Sequence, residues 1–231
     1  MPARQLIHTC QRTDNMKNIL LPAILMFAVS GGLHARNVKM SDVFRQMPDT
    51  LLPYLSQNNR LDMIDFKASG MDADIVNGFD EHTRLNVLTD NYMNMTLSHA
   101  SSLELKLLDA TVALPDSADC IVCVVHTVGT DRKSSTVKFY TSRWTELAAI
   151  PCPMPDDAKA FIVRPDTMNA ADFDKLEQSV YPVVAYANLS EGDDTLTIGL
   201  SLPAVTEEEK RIKAVVKSIT LKWTGDSFKE S

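Results

Sequence analysis

From Thr83 onward, apolar and polar residues alternate one for one, and this period does most to limit the fold. Leu85 and Val87 alternate with Arg84 and Asn86, and Met93, Met95 and Leu97 with Tyr92, Asn94 and Thr96. Leu103, Leu105 and Leu107 then alternate with Glu104 and Lys106. Successive strand side chains point to opposite faces, so each run predicts a strand with one buried and one wetter face. Residues 120–128 are apolar on both faces, as in an interior strand. Turn-forming residues 129–133 follow, and Thr136 to Thr141 returns.

Before this region the pattern is helical. Ser41 is placed to cap a turn bearing Val43, Phe44 and Met47, and Asp49 to cap a segment from Thr50 to Leu55. A third helix is expected from about Asn59 to Ser69, with Leu61, Ile64 and Ala68 inward and Gly70 as its stop. In the second half, Phe161-Ile162-Val163 reads as a short strand, and Asn169 caps a helix bearing Phe173, Leu176 and Val180. Val183 to Asn188 pairs with Leu196 to Leu202 across Glu191-Gly192-Asp193-Asp194. Thr206 to Glu209 fits a capping box, and Ile219, Leu221 and Trp223 share one face of a last strand. Blocks of helices between runs of strands predict an α+β fold: a large, mostly antiparallel sheet with short helices packed on it. The helix-then-strands order recurs near 40–141 and 145–223, which suggests two related α+β halves sharing a sheet, although no residue-level repeat supports it.

The amino-terminal region carries an export signal. Met16-Lys17-Asn18 is a basic start, residues 19–29 are apolar, and Ser30-Gly31-Gly32 leads to a cleavage site between Ala35 and Arg36. Met16 is the expected true start. The apolar run is shorter than the roughly 20 residues a membrane span needs. Cys10 precedes that run, so it is not placed for lipidation. Residues 36–231 are therefore expected as one soluble α+β domain, periplasmic or secreted. Loss of residues 1–35 removes three basic residues and one acidic one, moving the formal charge from −7 to −9. An acidic chain without a basic block lacks the footprint of a nucleic-acid binder.

Candidate chemistry is sparse. Cys120 and Cys123 spell a CxxC, but positions three apart in a strand face opposite ways, which argues against a redox or zinc pair. An oxidising compartment would permit a disulfide from Cys152 to Cys120 or Cys123. Among the histidines after the leader, His126 shares a strand face with Cys120, Val122 and Val124 and reads as a core histidine. His82 and His99 are the candidates for acid–base work beside a carboxylate. No cofactor fingerprint or EF-hand spacing occurs, so no cofactor or metal is expected. Asp116-Ser117-Ala118 matches the Asp-Ser/Thr-apolar pattern of O-glycosylation sites in some exported bacterial proteins, and Ser117 follows Pro115 in an expected loop. The Met93, Met95 and Leu97 stripe raises a carrier of apolar ligands as a further idea.

Residues 47–53 (MPDTLLP) and 59–66 (NRLDMIDF) stand out, together with Leu88-Thr89-Asp90-Asn91-Tyr92 and Leu105-Lys106-Leu107-Leu108. They resemble a family of exported proteins from gut anaerobic bacteria, catalogued only as a domain of unknown function. The resemblance implies an exported single-domain protein and brings no catalytic residue. The expectation is an exported binding or scaffold domain of the cell envelope, with an envelope protein or a glycan as partner. The alternative is an envelope hydrolase or lyase using a histidine and a carboxylate.

Overall fold

The computed structural model describes residues 38–151, 153–202 and 215–230. The leader, its Ala35–Arg36 cleavage site, Cys152 with its disulfide, and the capping box at 206–209 lie outside the described residues. Those described belong to one compact unit.

The chain begins with α1 (Met40–Arg45) and α2 (Gln57–Ala68). Six strands follow: β1 (Ala73–Val76), β2 (His82–Leu88), β3 (Tyr92–Ser98), β4 (Ser101–Leu108), β5 (Ile121–Val128) and β6 (Ser134–Thr141). After α3 (Ala170–Ser179) come β7 (Ala185–Leu189), β8 (Thr195–Leu200), β9 (Ile219–Trp223) and β10 (Phe228–Glu230). The fold is α+β and mostly antiparallel sheet. Its strands form two sheets, one of six in the order β1-β2-β3-β4-β5-β6 and one of four in the order β10-β9-β8-β7. Each half of the chain therefore supplies its own sheet.

Burial explains the layering. The odd residues of β3 and β4 (Met93, Met95, Leu97; Leu103, Leu105, Leu107) pack with Val43, Phe44, Met63 and Ile64 of the helices. Tyr92, Leu108, Ile121, Cys123, Val125 and Phe139 pack against β7, β8, β9 and α3. The six-stranded sheet thus lies between a helical layer and the second sheet. Cys120 joins the helix-side core and Cys123 the inter-sheet core, as period two requires.

Side chains of the large sheet cover the edge of the small one. Ser135 Oγ accepts the Ala187 N–H at 2.9 Å, and Glu104 Oε2 accepts the Leu189 N–H at 2.7 Å. These donors lie on the last strand of the four-stranded sheet, where an exposed row would invite pairing with another chain. Lys106, 1% exposed, donates to Glu191 O at 2.9 Å in the β7–β8 turn. The Glu191–Asp194 cluster is a hairpin turn, with Asp193 accepting from Thr195 Oγ1 at 2.6 Å.

Several local expectations are corrected. The cap of α1 is Lys39, without a side-chain hydrogen bond, and Ser41 sits inside the helix. Residues 49–51 form turns, not a helix. Helix α2 starts earlier, at a Ser56–Asn59 capping box, and its inward residues are Arg60, Met63 and Ile64 instead of Leu61 and Ala68. Residues 161–163 contribute only a bridge, Ile162 to Val216. Asn169 caps α3 by accepting the Asp172 N–H at 2.9 Å, as expected.

Arg60 explains the displaced Asp49 and the rotated α2. Its guanidinium is buried, donating to Leu55 O and Asp49 Oδ1, both at 2.8 Å. Its Nε has no hydrogen-bond partner. Asp49→Ala strands a buried cation and should cost about 1–2 kcal/mol, below the full buried-pair value because the Asp49 side chain is 72% exposed. Arg60→Met removes the cation altogether and should cost less than Asp49→Ala. Urea unfolding of both variants checks this order.

Candidate functional site

Two adjoining hollows open on the helix side of the large sheet and share Tyr54 and Leu97. The connection between α1 and α2 roofs the inner one, contributing Met47, Thr50, Leu51, Leu52 and Tyr54. Its floor and walls are Leu97, Leu103, Val124, His126, Thr136, Lys138 and Tyr140, and its volume is about 220 Å³. The outer hollow, about 250 Å³, is lined by Tyr54, Asn77, Phe79, Glu81, Leu97, Ser98 and Ser101.

The outer hollow has a built rim. Asn77 is 7% exposed and ties the β1–β2 turn together. Its Oδ1 accepts the Phe79 N–H at 2.8 Å and the Glu81 N–H at 3.3 Å, and its Nδ2 donates to Thr83 Oγ1 at 3.0 Å and Leu97 O at 3.1 Å. This fixed turn holds Phe79 outward, 65% exposed, with its ring centroid 5.5 Å from that of Tyr54. A large aromatic side chain on a rigid turn loses little entropy when it meets a partner.

The histidines fall in three environments. His82 is exposed, its Nδ1 2.9 Å from Asp74 Oδ1, and Arg84 donates to Asp74 Oδ2 at 2.7 Å. The His82 hydrogen bond, then Arg84, holds the Asp74 carboxyl below its ordinary value. Strand β2 turns Thr83 and Leu85 into the structure and His82 and Arg84 out, so this cluster lies on the face away from the hollows. His99, in the β3–β4 turn, is exposed with Nδ1 3.3 Å from Glu81 Oε1, at the mouth of the outer hollow.

His126 corrects the core reading. It is half-buried in the wall of the inner hollow, and its Nε2 lies 2.9 Å from Ser101 Oγ. Burial lowers its pKa, which favours the neutral ring. Among the described residues no carboxylate is hydrogen-bonded to Nδ1, so the serine–histidine contact lacks an orienting acid.

Other candidates fall elsewhere. Ser117 is exposed on a short 3-10 turn with a φ of 52°. Cys123, in β5, and Cys120, just before it, are buried in the two cores on opposite sides of the large sheet. Met93 and Met95 are filled core, and of that stripe only Leu97 reaches the hollows. Among the described residues no helix is long and apolar enough to cross a membrane.

Sequence reading overlooked Tyr54, Asn77, Phe79, Ser101 and Lys138. One signal was present: Asn77-Gly78 is turn chemistry, and an aromatic residue placed right after it will tend to stand out from the turn.

The family model described as a protein of unknown function (DUF3256) matches residues 32–228. This chain belongs to that family. No curated protein matches it. A solved structure, a domain of an uncharacterized protein from Porphyromonas gingivalis W83, is similar in fold, with a TM-score of 0.66 and 22% identity. The match covers 84% of this chain and 98% of that one. At that identity it speaks for the fold of DUF3256 proteins and not for an activity.

Proposed function

We propose that this DUF3256 protein is an exported, soluble binding or scaffold domain of the bacterial cell envelope, and that it binds through the paired hollows around Tyr54. The observation that carries this reading is Phe79, held outward over Tyr54 by the hydrogen bonds of Asn77. Buried aromatic anchors dominate interface energetics, commonly by about 2 kcal/mol or more each. The partner is an envelope protein or a glycan.

The purified protein should be retained saturably on a washed cell-envelope fraction of the native cells. Phe79→Ala should weaken retention at least about tenfold at an unchanged melting temperature. Protease treatment of the fraction separates a protein partner from a glycan. Absence of saturable retention, or equal retention of the variant, overturns the reading. Export rests on the basic start, apolar run and cleavage site of residues 16–36. The protein isolated from native cells should begin at Arg36, and a start at Met1 or Met16 would contradict export by cleavage.

One observation favours the second reading, an envelope hydrolase or lyase. His99 and Glu81 approach to 3.3 Å where Glu81 lines the outer hollow, a histidine–carboxylate pair at a cleft. Turnover of an envelope polymer that disappears in His99→Ala would replace the binding reading with this one.

A further inference from the structure

The inner hollow differs from its surroundings in the make-up of its lining. Half of its lining is apolar, with Leu51, Leu97 and Val124 among the contacts. The other half is Thr50, Tyr54, His126, Thr136, Lys138 and Tyr140, every one able to donate a hydrogen bond, and no carboxylate is among the lining residues. Four hollows elsewhere each include a carboxylate: Glu81 in the outer one, Asp131, Asp42 with Asp119, and Glu146 in the others. In a chain of formal charge −7, a donor-rich lining whose one ammonium, Lys138, has its acid partner Glu146 outside the lining, in the neighbouring hollow, suits an anion that shares that ammonium with Glu146.

Size and shape limit that anion. A volume of about 220 Å³ lies below the roughly 300–1,000 Å³ of drug-sized ligand pockets. It suits a short apolar body with one charged end. Lys138 donates to Glu146 Oε1 at 3.0 Å, which uses one of three ammonium protons and leaves the others to point elsewhere.

We propose that the inner hollow binds a small carboxylic acid with an apolar body. The carboxylate is placed at Lys138 and the adjoining Thr136 and His126, and the chain lies against Leu51, Leu97 and Val124. This deepens the binding reading by assigning a ligand class to one of its two hollows, and it rests on that reading only for the site.

Hexanoate is the probe, hexanamide its neutral counterpart, and the Met47 methyl resonance in the wall of the hollow the readout. Hexanoate should shift that methyl saturably, and hexanamide should bind at least tenfold more weakly. Lys138→Met should weaken hexanoate at least tenfold at an unchanged melting temperature, whereas Lys138→Arg should keep it within about threefold. Absence of a saturable shift overturns the proposal, as does equal binding of acid and amide, or full binding by Lys138→Met. Acetyl-Gly-Leu binding more tightly than hexanoate would overturn the small-molecule assignment in favour of a peptide carboxy terminus. Phe79-dependent retention on the envelope is read separately, so failure here leaves the outer hollow untouched and failure there leaves this result intact.

Discussion

Glu104→Leu should destabilise the protein by about 3 kcal/mol, because it orphans a buried edge. The carboxylate accepts the Leu189 N–H at 2.7 Å, the Asn94 amide at 3.0 Å and the Tyr92 hydroxyl at 3.2 Å. Leucine fills the space and accepts none of them. A buried donor left without an acceptor costs about 1–3 kcal/mol, and the Leu189 amide is the one least able to find another. Glu104→Gln keeps an acceptor oxygen and should cost markedly less. The two variants also differ in pH response. Burial raises the Glu104 carboxyl above its ordinary value and, with Glu104 beside it, pushes the Tyr92 phenol up to about 12. With the folded pKa of Glu104 above the unfolded one, its contribution is fully present below the unfolded value and is lost as pH rises through the folded value. Glu104→Gln should flatten that part of the stability profile. Urea unfolding from pH 3 to 8 measures both effects, and equal midpoints for Glu104→Leu and the parent would contradict the assigned role.

Trp223→Ala should cost about 3–5 kcal/mol, the range for losing a large aromatic from a core. The ring stacks on Phe139 of the other sheet at 5.9 Å and meets Phe228 edge-on at 5.2 Å. Its indole N–H donates to Asp109 O at 2.7 Å, just beyond β4. One side chain thus joins β9 to the large sheet by both packing and a hydrogen bond. Trp223→Phe keeps most of the packing and should cost about 1–2 kcal/mol, the share of the lost hydrogen bond. Thermal unfolding of the two variants gives the comparison. Near-equal losses would mean that the hydrogen bond, and not the packed ring, holds the sheets together.

Alternation made the strands legible, since Met93, Met95, Leu97 and Ile219, Leu221, Trp223 do face inward as spaced. It could not show that the strands form two sheets, because period two reports which face is buried and not against what. The succession Leu105, Lys106, Leu107, Leu108, buried on both faces, was the trace of the second layer. Arg60 misled the helix reading: a charged residue inside α2 is unfavourable from the sequence alone, and only the distant Asp49 and Leu55 carbonyl make it tolerable. The candidate site was less legible than the fold. His99 was flagged and lies at its mouth, His126 was assigned to the core and lies in its wall, and His82 lies on the opposite face. Tyr54, Phe79 and Lys138 come from a helix connection, a turn and a strand, and nothing local in the sequence joins them.

Tyr54→Ala tests the central claim most directly, because Tyr54 is common to both hollows. Saturable retention on the envelope fraction should be measured for the parent and this variant, with melting temperature as the control. Loss of at least about tenfold in affinity, with the fold intact, is the expected result. Retention unchanged by Tyr54→Ala would contradict binding through this face.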